Sequence, residues 1–356
     1  MVTNNTPVVA VIGATGRTGR DFVGMAADKG LQLRLIGRDD KALAALAADK
    51  AATWMHIDSL SDSMMRSAVA GTALVVNLAG SFSGTAATVA RYALEASASY
   101  LDISNEYDAV QSVLDLDAEA RVRGVTLMPA SGFGTLVTEG LAATLGADVE
   151  AYRVDVAMFP DNVSRSKGAL QSVLAVLAHG GARIEDGGLR HIMLGSDARR
   201  LVTPDGIKTI ISVPTGDLAA IPATLGARHV TSAVSIPLSP LAARLALPLA
   251  SLAARSRRVR EFAGNRNRHQ TEPSRPYVSR SWARVTTASG VTTEAWLTAG
   301  EGYAFTVNAV MSAAARTLAG DAPTGAITVT KAFGSAFLKS LPGVTIHTPL
   351  TDGSLA

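Results

Sequence analysis

The feature that most restricts what this chain can fold into is an alternation running through its amino-terminal part. Short, apolar, β-branched runs lie at 8–12, 31–36, 53–57, 73–78, 100–103 and 125–128. Each is followed by a stretch with helical spacing, at 20–29, 41–50, 62–69, 85–97, 109–123 and 136–145. Strands this apolar need cover on both faces, and strand-then-helix repeats supply it by laying helices on either side of a parallel sheet. We therefore expect an α/β fold with a doubly wound parallel sheet over residues 1–149. In such a sheet ligands lie beyond the carboxyl ends of the strands.

The first strand-to-helix junction, VVAVIGATGRTGRDF, is the most specific of these ends. Gly13, Gly16 and Gly19 fall in the turn, where a side chain would obstruct the turn itself, the approach of a phosphate, or the seating of helix on strand. Free amides and the positive end of the helix dipole suit an anion there. Framed by strand and helix, the triplet points to a Rossmann-type dinucleotide site cradled by Gly13, Thr15, Gly16, Arg17, Thr18 and Gly19. A glycine-rich surface loop without ligand is the competing reading.

The second strand runs into Gly37 and Arg38. A carboxylate there would accept from a ribose 2′-hydroxyl, whereas a basic group accommodates a 2′-phosphate. Arg38 joined by Arg17 in a charge-assisted clamp predicts NADP, and Asp39 and Asp40 keep NAD open. Asp58 ends the third strand beside Ser59, where it could accept from an adenine amino group or simply cap a turn. Asn77, Ala79, Gly80 and Ser81 end the fourth strand, small enough to let a nicotinamide ring approach, and Ser104 follows the fifth.

Beyond residue 150 the pattern changes. YRVDVAMF at 152–159 alternates as an antiparallel strand with one covered face would, and further strands are expected at 281–287 and 292–298. A second α+β domain built on an antiparallel sheet is placed at 150–302, for substrate and dimerisation, and the helices of 303–356 are expected to pack back on the first domain. A chain of 356 residues that is 47% hydrophobic and 18% charged can bury two cores and is not disordered. A formal charge of +3, without interleaved aromatic and basic residues, gives no reason to expect nucleic acid. The absence of cysteine removes disulfides, thiolate metal sites and a cysteine nucleophile, and fits a reducing cytoplasm. The six histidines show no metal-ligand spacing and no GxSxG elbow occurs, so neither a metal site nor hydrolysis is expected. The start of the chain lacks a secretory pattern. The apolar stretch 235–254 holds Arg244, Pro237, Pro240 and Pro248 and runs into RSRRVR. It reads as a buried or dimer-forming helix with a solvated basic end, with contact to a membrane surface as the alternative and no span.

The turn GATGRTG, then VVNLAGSF, ALEASASYLDISNEYDAV and PASGFG, together resemble the saccharopine dehydrogenase-like NADP-binding proteins, and within them the branch of trans-acting enoyl reductases. The likeness extends weakly through SRSKGALQSVL, IEDGGL, EGYAFT and TGAITVTKAFGSAFLKSL. It implies a Rossmann domain, an inserted substrate domain on an antiparallel sheet, and NADP-linked reduction of a C=C or C=N bond. The chain departs from that branch at Ser81, where proline is usual, at Asn105, where glycine is usual, and at Val137, Thr138 and Glu139, where proline, serine and aspartate are usual.

Candidate proton-transfer groups are few. Asp102, Glu106 and Asp108 cluster in YLDISNEYD, where a carboxylate at the mouth of the sheet could relay a proton or bind an amine. The competing role is a helix start capped by Asn105 with Glu106 or Asp108 in its first turn. Lys167 could hold a carboxylate or protonate a carbanion, or be solvated. Phe82, Ser131, Phe133, Met158 and Phe159 are candidates for an apolar substrate pocket, or ordinary core. The expected activity is an NADP-dependent reductase, a homodimer acting on an apolar or amphipathic small molecule in secondary metabolism or lipid biosynthesis; the alternative is a non-catalytic NADP-binding sensor or partner protein.

Overall fold

In the computed structural model, residues 6–60, 64–159, 180–254 and 278–348 are described. Lys167 and the basic run at 255–260 lie outside them. The first sheet is built from β1 (Val8–Ile12), β2 (Gln32–Gly37), β3 (Thr53–His56), β4 (Leu74–Asn77), β5 (Ser99–Asp102), β6 (Thr126–Met128) and β15 (Gly325–Ala326). Its order is β15-β6-β5-β4-β1-β2-β3, and every neighbouring pair is parallel. The order reverses between β4 and β1, and in sheets of this kind a ligand lies beyond the carboxyl ends of the strands at such a reversal.

The connecting helices are α1 (Arg17–Asp28), α2 (Asp40–Asp49), α3 (Met64–Val69), α4 (Ala86–Glu95), α5 (Tyr107–Leu114), α6 (Asp117–Arg123) and α7 (Thr135–Leu145). On α1 the buried residues Gly19, Phe22, Val23 and Ala26 repeat at helical spacing, which is why this segment lies flat on the sheet. The expected single helix over 109–123 is two, broken at Leu116. β15 has two residues and carries no strand pattern; it pairs with β6 only because the chain returns there late.

The second sheet contains β7 (Ala151–Phe159), β8 (Gly181–Glu185), β9 (Gly188–Ile192), β10 (Arg199–Thr203), β11 (Gly206–Ser212), β12 (His229–Ile236), β13 (Ser279–Thr287), β14 (Thr292–Ala299) and β16 (Thr345–His347), with helices α8 (Asp217–Leu225) and α9 (Pro240–Ala254). It is mixed rather than purely antiparallel, because β7 and β12 run parallel side by side. Parallel neighbours need a long crossover, and the hairpins β8–β9 and β10–β11 together with α8 lie within it.

The chain divides into two compact units, Met1–Leu136 with Gly302–Pro342, and Val137–Glu301 with Gly343–Ala356. The helices α10 (Gly302–Leu318), α11 (Val329–Phe333) and α12 (Ser335–Ser340) thus join the first unit, whereas β16 leaves that segment to pair with β14. The division falls inside α7 and not at residue 150. Thr138 Oγ1 on α7 donates to Asp217 Oδ1 on α8 at 2.5 Å, and Thr224 Oγ1 on α8 donates to Glu139 at 2.5 Å. The apolar segment at 235–254 is buried on one side only: Ala243, Ser251 and Ala254 face inward, while Leu241, Leu245, Leu249 and Leu252 are 66–70% exposed. Among the described residues no helix is long and apolar enough to cross a membrane.

Candidate functional site

The three glycines of the first turn do three different things. Gly13 has φ +78°, and a Cβ there would lie 2.8 Å from the backbone nitrogen of Ala79, so only glycine lets the end of β4 close on the end of β1. A Cβ on Gly19 would overlap the carbonyl oxygen of Gly13 and approach Ala14 C at 2.8 Å, so this glycine seats α1 on the turn. A Cβ on Gly16 would meet only Gly13 O, at 3.3 Å. Gly16 is exposed, is the N-cap of α1 and offers no side-chain cap. Packing thus restricts Gly16 less than the other two glycines, and the start of α1 carries no side-chain cap over its first amides. Those are the properties of a pyrophosphate cradle, and the turn fits a dinucleotide on that observation.

At the neighbouring strand ends, Ile57 N donates to Gly37 O at 2.9 Å, which sets Arg38 and Asp58 on adjacent strand tips, both exposed. Asp39 Oδ1 accepts from Ala42 N at 3.0 Å and caps α2. Asp39 is therefore engaged by its own helix, and Arg38 is exposed beside it. His56 Nε2 lies 3.7 Å from Asp58 Oδ1, and Ser59 is exposed beside it. The Arg17 guanidinium lies over the ring of Tyr303 on α10, 3.9 Å from the centroid.

The carboxyl ends of β4, β5 and β6 are joined by a buried network. Asp102 is 0% exposed, and its Oδ1 accepts from Ser104 N at 2.9 Å, Ser104 Oγ at 2.6 Å and Ala130 N at 2.9 Å. Tyr100 OH donates to its Oδ2 at 2.8 Å and accepts from Asn77 Nδ2 at 3.2 Å, and Asn77 Oδ1 in turn accepts from Ala79 N at 3.2 Å. Burial pushes the Asp102 carboxyl up despite these donors, and burial followed by the nearby Asp102 charge pushes the Tyr100 hydroxyl well up. Ala130 sits at φ +56°, a left-handed conformation that alanine adopts at a cost of about 1–3 kcal/mol, and the bond to Asp102 holds it there. Asp102 is thus a tie between two loops, not an accessible acid, and Asn77 and Ser104 serve the same tie. Sequence reasoning missed Tyr100 and Ala130, since a strand tyrosine and a loop alanine carry no polar pattern.

Glu106 is half-buried at the start of α5, with its Oε2 accepting from Asn105 N at 3.0 Å. Asp108 accepts from Ser83 Oγ at 2.9 Å on the surface. Asn105 Oδ1 accepts from Thr135 Oγ1 at 2.8 Å, and Gly134, at φ +109°, passes so close that a Cβ would lie 2.7 Å from that oxygen. The departures at Asn105, Thr138 and Glu139 therefore all have packing partners. Ser81 and Gly80 are exposed; Ser81 O accepts from Thr85 Oγ1 at 2.7 Å, and a Cβ on Gly80 would meet nothing.

Of the pocket candidates, Phe82 belongs to the core beneath α4, and Ser131 Oγ is buried and donates to Met128 O at 3.0 Å. Phe159 packs on Trp296 at 5.2 Å in the core of the second sheet, beside a partly buried Met158. Phe133 remains half-buried in the first unit, edge-on to Phe305 of α10 at 5.6 Å, with its amide donating to Thr306 Oγ1 at 3.0 Å.

Residues 9–128, from the second residue of β1 to the last of β6, match the family model described as Saccharopine dehydrogenase NADP binding domain. No curated protein matches the sequence. Among solved structures, apo saccharopine dehydrogenase (L-Glu forming) from Saccharomyces cerevisiae is similar with a TM-score of 0.64 at 13% identity, covering 96% of this chain and 99% of that one. Homospermidine synthase from Legionella pneumophila in complex with NAD is similar with a TM-score of 0.63 at 10% identity, covering 99% and 94%. At such identities the likeness is one of fold.

Proposed function

From the match of residues 9–128 to that domain model, we propose that the chain is an NADPH-dependent reductase of an activated C=C or C=N bond in an apolar or amphipathic small molecule. The observation that carries the cofactor reading is the pairing at the tip of β2. Asp39 is turned into its own helix as a cap, and the residue left to meet a ribose substituent is Arg38. The uncapped first amides of α1 would hold the pyrophosphate, and Ala79, brought against Gly13, with its neighbour Gly80 would border the nicotinamide.

A bound nicotinamide cofactor supplies hydride, and reduction of a C=C or C=N bond needs one proton besides. Within the first unit, Glu106 is the carboxylate at the end of β5 that is neither fully buried nor engaged across loops, and it is assigned the proton. The test is loss of NADPH absorbance with a panel of unsaturated ketones, unsaturated acyl thioesters and preformed imines. Turnover by the unmutated protein, reduced roughly 10²-fold in Glu106→Gln with NADPH affinity kept, is the expected result. Turnover untouched by Glu106→Gln removes that residue from the chemistry.

A second reading, a non-catalytic NADP-binding sensor or partner, draws on the burial of Asp102 within its tie, which leaves the sheet edge poor in accessible acids. Tight NADPH binding with no turnover of any panel member would favour it.

A further inference from the structure

Arg17 is the first residue of α1 and Tyr303 the second of α10, more than half the chain away in sequence, yet the guanidinium lies over the ring at 3.9 Å from its centroid. α10 packs against α1, β4 and β5. It therefore stands on the β4 side of β1, whereas Arg38 stands at the tip of β2, the strand on the other side of β1. The stack draws Arg17 away from the adenosine side and toward the half of the crevice where pyrophosphate and nicotinamide ribose would lie. A guanidinium seated over a ring is restrained in place while it keeps its charge, which a pyrophosphate oxyanion nearby would meet. The first turn of α10 is itself anchored: Thr306 Oγ1 donates to Gly302 O at 2.8 Å and accepts from Phe133 N at 3.0 Å.

We propose that Tyr303 is a positioning residue of the dinucleotide site, which holds Arg17 over the pyrophosphate so that Arg17 serves any dinucleotide, while Arg38 alone selects the 2′-phosphate. This rests on the NADP-binding reading of the first unit. It separates two arginines that the sequence pairs, and it brings a carboxyl-terminal helix into a site otherwise contained in the first six strands and their loops.

Calorimetric titration of the full chain with NADPH and with NADH tests it. Tyr303→Leu is expected to weaken both nucleotides by the same factor, about three- to tenfold, and Tyr303→Phe, which keeps the ring, to restore both. Arg17→Met is expected to weaken both by about tenfold or more, and the double variant Arg17→Met/Tyr303→Leu to be no worse than Arg17→Met alone, because the ring acts through the guanidinium. Arg38→Ala should weaken NADPH only. Thermal unfolding of each variant identifies any that fail to fold, for which Tyr303→Phe and Tyr303→His stand in. Selective loss of NADPH in Arg17→Met, or additive losses in the double variant, overturns the assignment while leaving the cofactor reading intact. Failure of the unmutated protein to bind either nucleotide overturns that reading, and this assignment with it.

Discussion

Single residues in the first turn can be told apart by what a methyl group would strike. Gly19→Ala drives a Cβ into Gly13 O and should destabilise the first unit by about 1–3 kcal/mol or more, read as an earlier denaturant midpoint. Gly16→Ala meets one oxygen at 3.3 Å, so its unfolding should stay near that of the unmutated protein while NADPH affinity drops about tenfold or more, roughly 1.4 kcal/mol. Equal effects on stability and none on binding would make the turn purely structural. Arg38 is predicted to give NADPH an advantage over NADH of about tenfold or more, largely erased in Arg38→Ala. The tight turn at Gly13 and the close seat at Gly19 were legible in the sequence because each follows from its place between a strand and a helix. The partner of Arg17 was not legible, since nothing local to GATGRTG points to a tyrosine near residue 300.

At the scale of elements, Asp102 shows how a strand end is built. One carboxylate oxygen gathers Ser104 and Ala130, and the other takes Tyr100, so the loops after β5 and β6 leave the sheet as one piece. Asp102→Ala strands those buried donors and should cost about 3 kcal/mol or more, whereas Asp102→Asn keeps an acceptor for three of them and should cost clearly less. Equilibrium unfolding of the two variants checks the order. A reading of Asp102 as a proton donor requires the opposite, a stable Asp102→Asn protein without turnover. The sequence placed Asp102 at the right edge of the sheet, but whether its carboxylate points outward or into the joint between loops depends on Tyr100 and Ala130, which are set by tertiary packing. The departures at Thr138 and Glu139 follow the same rule. They sit where a nicotinamide end was expected, and their side chains are instead engaged by Asp217 and Thr224.

For the whole molecule, the two carboxyl groups that burial pushes up, Asp102 in the first unit and Asp217 in the second, make stability depend on pH in a defined direction. Burial pushes Asp217 up, with Thr138, Ser232 and Thr215 hydroxyls opposing it, as burial does at Asp102. An acid raised in the folded state binds its proton more tightly there than in the unfolded chain, where its value is near 3.8. Its contribution is therefore fully present below that value and is lost as pH rises toward the folded one. The stability of Asp217→Asn relative to the unmutated protein should accordingly rise as pH climbs from about 3.8 toward the higher folded-state value, and then level off. A difference that is flat with pH removes the claim. Exposed pairs such as Glu95 with Arg66, where the arginine's hydrogen bond holds the carboxyl down, act in the opposite sense but weakly, because solvent screens them. By itself the sequence determined the doubly wound sheet, the glycine cradle and the ends of the strands that border it. Those depend on hydrophobic period and on backbone conformations that only glycine adopts, both of which are local. Only the tertiary structure decided that β7 and β12 run parallel, that β15 adds to the edge of the first sheet, and which polar side chains are exposed and which are bonded away inside. Those outcomes hang on partners distant in the chain, whose meeting no local pattern encodes.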